Sequence, residues 1–396
     1  MSLNQTPRAN RLHIGIFGKT NSGKSSLLNA LTGHDVALVS EMAGTTTDPV
    51  YKSMELHPIG PVVFIDTAGF DDKTVLGEKR EKITKEVIKK TDVAILIFDD
   101  ENLQDEKQWL ELLKEADVPV VPVISKGDIM NRALLKKKVF DELKLTPIIV
   151  SANENKEARE KLIDSIVAAI PEDYQRQSIL RNLVKEDDIV LLVMPQDIQA
   201  PKGRLILPQV QTIREVLDSR CTAVCTTLDG MKRSLDALKN PPSVIITDSQ
   251  CFKQVKELKP KESKLTSFSV LFAAYKGDID SFIKGAAAID SLDENSKVLI
   301  AEACTHAPLE EDIGRVKIPN MLRKRFGENL EIKMVSGSDF PDDLKGYDLI
   351  IHCGACMFNR KLMMSRVLQA KEQGVPITNY GVTIAHITGI LDEVVY

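Results

Sequence analysis

Eight residues near the start of the chain, GKTNSGKS (18–25), combine the residue types that hold a polyphosphate. Their spacing is G-x-x-x-x-G-K-[ST], after the apolar run LHIGIF and before a helical pattern. Glycines in such a loop let backbone N–H groups turn inward on phosphate oxygens. Lys24 supplies charge to the β- and γ-phosphates, the Ser25 hydroxyl can ligate magnesium, and Asn21, Ser22, Gly23 and Ser26 complete the cradle.

Three later segments belong to the same chemistry. DTAG (66–69) closes the run VVFID, where Asp66 is placed to hold magnesium through water and the Gly69 N–H to meet the γ-phosphate. SKGD (125–128) closes VPVVPVI and has the order of the N-K-x-D guanine motif. Asp128 can accept both hydrogen bonds that guanine N1 and N2 donate, and the stem of Lys126 can lie over the base. Ser125 stands where that motif has Asn, which shortens one base or loop contact. SAN (151–153) follows TPIIV, and Ser151 and Ala152 fit a loop that meets guanine O6 through a backbone N–H. Four such segments in order, each ending a strand, predict a guanine-nucleotide site, because ligands sit at the carboxyl ends of parallel strands.

A second group carries different chemistry. Cys304 and His306 lie in EACTHAP after KVLIA, and His352, Cys353 and Cys356 lie in IIHCGACM after YDLI. Two strand-end loops on one sheet edge can converge, and Gly354 is the expected turn-former between the thiols. Three readings fit: thiols buried in a core, zinc in a Cys3His site, or an iron–sulfur cluster on three thiolates with a fourth ligand. Spacing does not separate the two metals, although C-x-x-C with one distant Cys leans toward an open cluster corner. Cys221, Cys225 and Cys251 have no such neighbours and are expected in cores, and Trp109 fits an amphipathic helix face with no functional role. His386 is read as an ordinary core or surface residue that lies near enough the C-terminus to reach a cluster.

The elements that must position these residues follow from hydrophobic periodicity. From Leu12 to Ile170 the runs LHIGIF, VVFID, VAILIF, VPVVPVI and TPIIV alternate with helical patterns at 24–32, 79–90, 105–115, 131–144 and 154–170. Such alternation predicts an α/β fold, a parallel sheet with helices on both faces. EDYQRQ (172–177) reads as an exit linker, followed by a second α/β series through PKESK (260–264) and a third from LTSFSVLFAAY (265–275). Three α/β domains are expected: residues 1–172, 173–264 and 265–396, with the middle one as a self-association module.

Composition bounds the rest. With 43% hydrophobic and 28% charged residues the chain can bury separate cores, and 52 basic against 57 acidic residues argue against a nucleic-acid or membrane-surface role. No run of eighteen apolar residues and no apolar leader segment is present, so a cytoplasmic protein with reduced thiols is expected.

MAGTTTD (42–48) resembles the A-G-T-T-R-D switch I of the TrmE–Era–EngA branch of GTPases. By that resemblance Thr45 and Thr46 belong to the nucleotide site, and Thr46 senses magnesium. Lys24, Thr46, Asp66 and Gly69 are then the residues at the reacting phosphate. Branch members that use potassium carry an Asn in the P-loop, the position of Asn21, so the resemblance implies K+ held by Asn21 and carbonyls near Met42–Gly44. Where Ras-like GTPases place a water-orienting Gln after D-x-x-G, this chain has Phe70, so intrinsic hydrolysis is expected to be slow.

A GTPase of this type, a middle α/β module and a C-terminal C-x-H…H-C-x-x-C together resemble the HydF family of FeFe-hydrogenase maturation GTPases along essentially the whole chain. That resemblance implies a 4Fe–4S cluster on Cys304, Cys353 and Cys356 with an exchangeable fourth position near His306 or His352. It also implies a homodimeric scaffold that takes a di-iron precursor from radical-SAM maturases and passes it to apo FeFe-hydrogenase. The alternative is an RNA-modification or ribosome-assembly GTPase with a structural zinc domain, which the weakly acidic balance disfavours.

Overall fold

The computed structural model describes residues 6–32, 49–67, 77–125, 132–150, 156–175, 178–195, 205–303 and 312–396. The chain divides into two compact units, Met1–Arg176 and Gln177–Tyr396.

The first unit is built on β1 (Leu12–Phe17), β2 (Val50–Leu56), β3 (Gly60–Asp66), β4 (Val93–Phe98), β5 (Val120–Ile124) and β6 (Ile148–Ile149), in the order β2-β3-β1-β4-β5-β6. Five of these are the expected apolar runs, and they pair in parallel. Every residue of β1 and β4 is buried, because helices cover both faces. On one face Leu12, Ile14 and Ile16 pack with Leu27, Leu28 and Leu31 of the helix Lys24–Thr32 and Ile166 of Lys156–Ala169. On the other, Phe17, Leu96 and Phe98 meet Trp109, Leu110 and Leu113 of the helix Gln104–Glu115.

Sequence periodicity missed β2. It pairs antiparallel with β3, Val50 opposite Asp66, so the sheet is mixed rather than wholly parallel. Being an edge strand it is largely half-exposed, and VYKSMEL lacks the apolar run of an interior strand. The exit segment also differs from its expected role: Glu172–Gln175 is a helical turn, and the Tyr174 hydroxyl donates to the Asn10 carbonyl. The first unit thus closes at 176 rather than 172.

The second unit holds two four-stranded parallel sheets. One contains β7 (Ile189–Val193), β8 (Thr222–Thr226), β9 (Val244–Thr247) and β10 (Lys264–Ser267), ordered β10-β9-β7-β8. The other contains β11 (Lys297–Glu302), β12 (Glu331–Ser336), β13 (Leu349–His352) and β14 (Ile377–Asn379), ordered β12-β11-β13-β14. A shared core runs from Leu191, Ile245 and Val270 to Ile300, Ile350 and Val382.

This arrangement corrects the expected division at 264. Lys264–Ser267 pair with Val244–Thr247, so they complete the middle sheet instead of opening the third series. The run LTSFSVLFAAY is a strand only at its start; the Ser267 hydroxyl accepts the Val270 N–H and caps the helix Phe268–Lys276. Among the described residues no helix is long and apolar enough to cross a membrane.

Candidate nucleotide site and cysteine loop

The phosphate loop runs from the end of β1 into the helix Lys24–Thr32, which places Ser25 in its first turn. Asn21 and Gly23 both take left-handed backbone, with φ of 60° and 93°, and curl the loop back toward its own amides. A Cβ on Gly18 would lie 2.7 Å from Ser22 Oγ and 3.1 Å from Ile97 Cβ, so that glycine is required by packing. The ammonium of Lys24 spans the loop, donating to the carbonyls of Gly18 at 2.8 Å and Lys19 at 2.7 Å. The Asn21 side chain is exposed, as is that of Ser26, whereas Ser22 is wholly buried and its Oγ has no hydrogen-bond partner among the described residues.

Asp66 ends β3 beside Ile16 of β1, which brings its carboxylate next to the loop. Its buried Oδ1 has no hydrogen-bond partner among the described residues. Burial raises this carboxyl above its ordinary value, against the pull of Lys24 and of Lys52. An acceptor left open in that place fits water on a magnesium ion. Lys52 comes from β2, and sequence reading gave no sign of it because the strand itself was missed.

The Ser125 hydroxyl donates to the Ser22 carbonyl. The expected shortening at this position therefore leaves the loop contact in place: the first residue of SKGD is tied to the phosphate loop. Thr45, Thr46, Gly69, Phe70, Lys126, Asp128, Ser151, Ala152 and the Met42–Gly44 carbonyls lie outside the described residues.

Lys19 does not face the phosphates. Its ammonium donates to Asp100 Oδ1 at 2.9 Å and to the Asn102 carbonyl, and lies 3.5 Å from Glu106 Oε1. Burial works against this charge, but Asp100 and Glu106 hold the Lys19 pKa above its ordinary value. Glu106 is almost completely buried, and desolvation pushes its carboxyl up to about 7. The second loop residue is thus anchored to the segment after β4, a contact between distant positions that no local spacing announces.

In the second unit β11 and β13 are neighbours, with Ala301 opposite His352. Their carboxyl ends therefore bring Glu302 and Ala303 alongside the start of HCGAC. The Cys353 N–H donates to Ala301 O at 2.9 Å, while Cys353 Sγ accepts the Ala303 N–H at 3.0 Å and the Ala355 N–H at 3.4 Å. The left-handed residue of this turn is Ala355, φ 50°, not Gly354, where an added Cβ would meet open space. Cys356 is half-buried. Cys304 and His306 lie outside the described residues, among which no group of three or more His, Cys, Asp or Glu could hold a metal.

His352 differs from its expected part. Its ring is wholly buried, Nδ1 lies 2.9 Å from the Cys353 carbonyl, and Arg366 Nη1 lies 2.8 Å from Nε2. Burial, with the Arg366 charge, pushes its pKa down to about 3. Both nitrogens of this neutral ring are engaged within the protein, at one of the two histidines near which a fourth cluster position is expected. Beside the thiol, Tyr380 donates to Glu302 Oε1 at 3.3 Å, and Arg315 Nε donates to Glu302 Oε2 at 3.0 Å. Burial and the neighbouring Cys353 and Glu302 raise the Tyr380 phenol well above its ordinary value.

Of the other cysteines, Cys221 and Cys251 are buried as expected, but Cys225 is exposed because β8 is a sheet edge. His386 pairs with Asp290 at 2.9 Å.

Three families match this chain. Residues 13–126 match the family described as 50S ribosome-binding GTPase, residues 179–277 the Hydrogen maturase F dimerization domain, and residues 280–396 the Hydrogen maturase F tetramerization domain. The last two meet C-terminal to β10, in agreement with its place in the middle sheet. Among curated proteins, GTPase Der of Wolinella succinogenes is 33% identical over 195 residues, covering 44% of this chain and 40% of that protein. The tRNA modification GTPase MnmE of Pelagibacter ubique is 38% identical over 122 residues, 31% of this chain and 27% of that protein. The chain thus spans well under half the length of these relatives. A solved structure of Era in complex with MgGDPNP and nucleotides 1506-1542 of 16S ribosomal RNA aligns with a TM-score of 0.34 at 20% identity, covering 54% of this chain and 92% of that one.

Proposed function

The chain belongs to the hydrogen maturase F family, and from that premise we propose that it is a GTP-hydrolysing iron–sulfur scaffold. It assembles or delivers the di-iron precursor of FeFe-hydrogenase, in the cytoplasm, between radical-SAM maturases and the apo-hydrogenase. Self-association runs through the dimerization and tetramerization domains.

In the first domain Lys24 and the loop amides bind the phosphates, and Ser25, Thr46 and water on Asp66 hold magnesium. Asn21, exposed on a left-handed loop residue, holds potassium with the carbonyls near Met42–Gly44. Asp128 selects guanine, with Lys126, Ser151 and Ala152 around the base. Gly69 meets the γ-phosphate, and nucleotide state gates partner contact because γ-phosphate and magnesium order the switch segments in this fold.

The cysteine loop is where an iron–sulfur cluster fits. Cys304, Cys353 and Cys356 would hold it, and when bound it would supply iron for the exchange of cargo. The observation that carries this reading is the Cys353 sulfur accepting two backbone N–H groups, one from the residue before Cys304. Such donors stabilise a thiolate and fix its aim. Anaerobic reconstitution with iron and sulfide tests it: a coloured protein with about four irons per chain is expected. A colourless protein carrying one stoichiometric zinc overturns it.

A further inference from the structure

We infer that Arg366 is a positioning residue for the cysteine loop: it occupies the Nε2 lone pair of His352 and so commits that histidine to supporting Cys353 instead of binding metal. The inference rests on the cluster reading of the loop but is decided by the chain's own hydrogen bonds.

His352 is the last residue of β13, held in register by Ala301 on one side and Asn379 on the other. Its ring lies between Phe340 and Phe358, with centroids at 6.4 and 6.3 Å. Arg366, on the helix Arg360–Glu372, enters the same slot, its guanidinium 4.6 Å from the Phe340 ring and 4.7 Å from that of Phe358. One prong donates to His352 Nε2 and the other to the Gly337 carbonyl. A guanidinium only donates, so Nε2 must accept. The ring proton is then on Nδ1, and it donates to the Cys353 carbonyl. A single tautomer satisfies both contacts.

For His352 to reach a metal, Nε2 would have to leave the guanidinium. That move strands a buried N–H between two aromatic rings and removes the support of the Cys353 carbonyl. The same fork ties together three strand ends. Gly337, directly after β12, donates its N–H to the Glu302 carbonyl at the end of β11 while its own carbonyl accepts from Arg366. Arg366 thereby fixes the frame from which Cys353 aims its sulfur, and the fourth ligand is a group other than His352. Lysine lacks the planar fork that fits both acceptors in a fixed geometry.

The test uses the full-length chain and the variants His352→Asn, Arg366→Met and Arg366→Lys. In the iron-free protein, nitrogen-15 NMR of the six histidines is expected to show one neutral ring protonated on Nδ1. It should be absent in His352→Asn and altered in Arg366→Met. An Nε2-protonated ring at His352, or one indifferent to Arg366→Met, overturns the proposal. After iron–sulfide loading, His352→Asn, which keeps a donor near the Nδ1 position, should leave the nitrogen couplings in pulsed EPR of the reduced cluster unchanged. Their loss in that variant would identify His352 as a ligand and overturn the proposal. Arg366→Met should lower iron retention against a chelator by about 10–100-fold, with only partial rescue by Arg366→Lys. Should Arg366→Met fail to fold, His352→Asn still decides. A chain that takes up no cluster in any form refutes the cluster reading, while the tautomer measurement continues to judge the role of Arg366.

Discussion

The backbone N–H of Ala303 points at the sulfur of Cys353 from 3.0 Å across a separation of 50 residues in sequence. That bond exists because β11 and β13 are adjacent and parallel, with Ala301 level with His352. It brings the start of one cysteine segment against the thiol of the other, and it separates Cys353 from the cysteines that only pack.

Cys353→Ser should therefore abolish cluster retention after anaerobic loading, since the hydroxyl is a poor iron ligand. Cys251→Ser, at a buried thiol in the core, should retain the iron content of the parent while losing some thermal stability. Equal iron in both variants would contradict the assignment.

Potassium dependence tests the exposed left-handed Asn21. GTP hydrolysis by the parent protein should be faster in potassium than in sodium buffer, and Asn21→Ala should remove the difference. Comparison of single-turnover rates in the two salts measures it, and equal parent rates would refute the cation site.

Ser125→Ala removes the donor that the Ser22 carbonyl accepts from in the buried loop. The expected cost is about 1 kcal/mol of stability in the first unit, read by denaturant unfolding with GTP absent. GTP affinity should fall as well, because the phosphate loop loses its tie to the guanine-binding segment. A variant as stable as the parent would show the contact to be idle.

Glu106 gives the first unit a pH signature. Its carboxyl is pushed up to about 7 by burial, above the ordinary 4.5, so the folded state binds the proton more tightly than the unfolded state. Its contribution is therefore most favourable at acid pH, declines as pH rises through 4.5, and levels off above about 7. Glu106→Gln should flatten the fall in melting temperature between those values while leaving Lys19 paired with Asp100. An unchanged profile would remove Glu106 from the account.

The amino-acid sequence by itself determined the nucleotide loop, five strands of the first sheet and the position of HCGAC at the end of a strand. Each depends on local information: a fixed spacing around Lys24, or an apolar run buried on both faces such as VAILIF. Local patterns failed where context chooses between outcomes. Val50–Leu56 is a strand because β3 offers it an edge, and LTSFSVLFAAY turns from strand to helix at Ser267, whose hydroxyl caps the helix that follows. Only the tertiary structure decided that Ser125 holds Ser22, that Lys19 is bound by Asp100, and that His352 is occupied by Arg366. Those pairs meet through strand order and register, so His352, a candidate ligand by spacing, is by its surroundings hydrogen-bonded to Arg366 and to the Cys353 carbonyl.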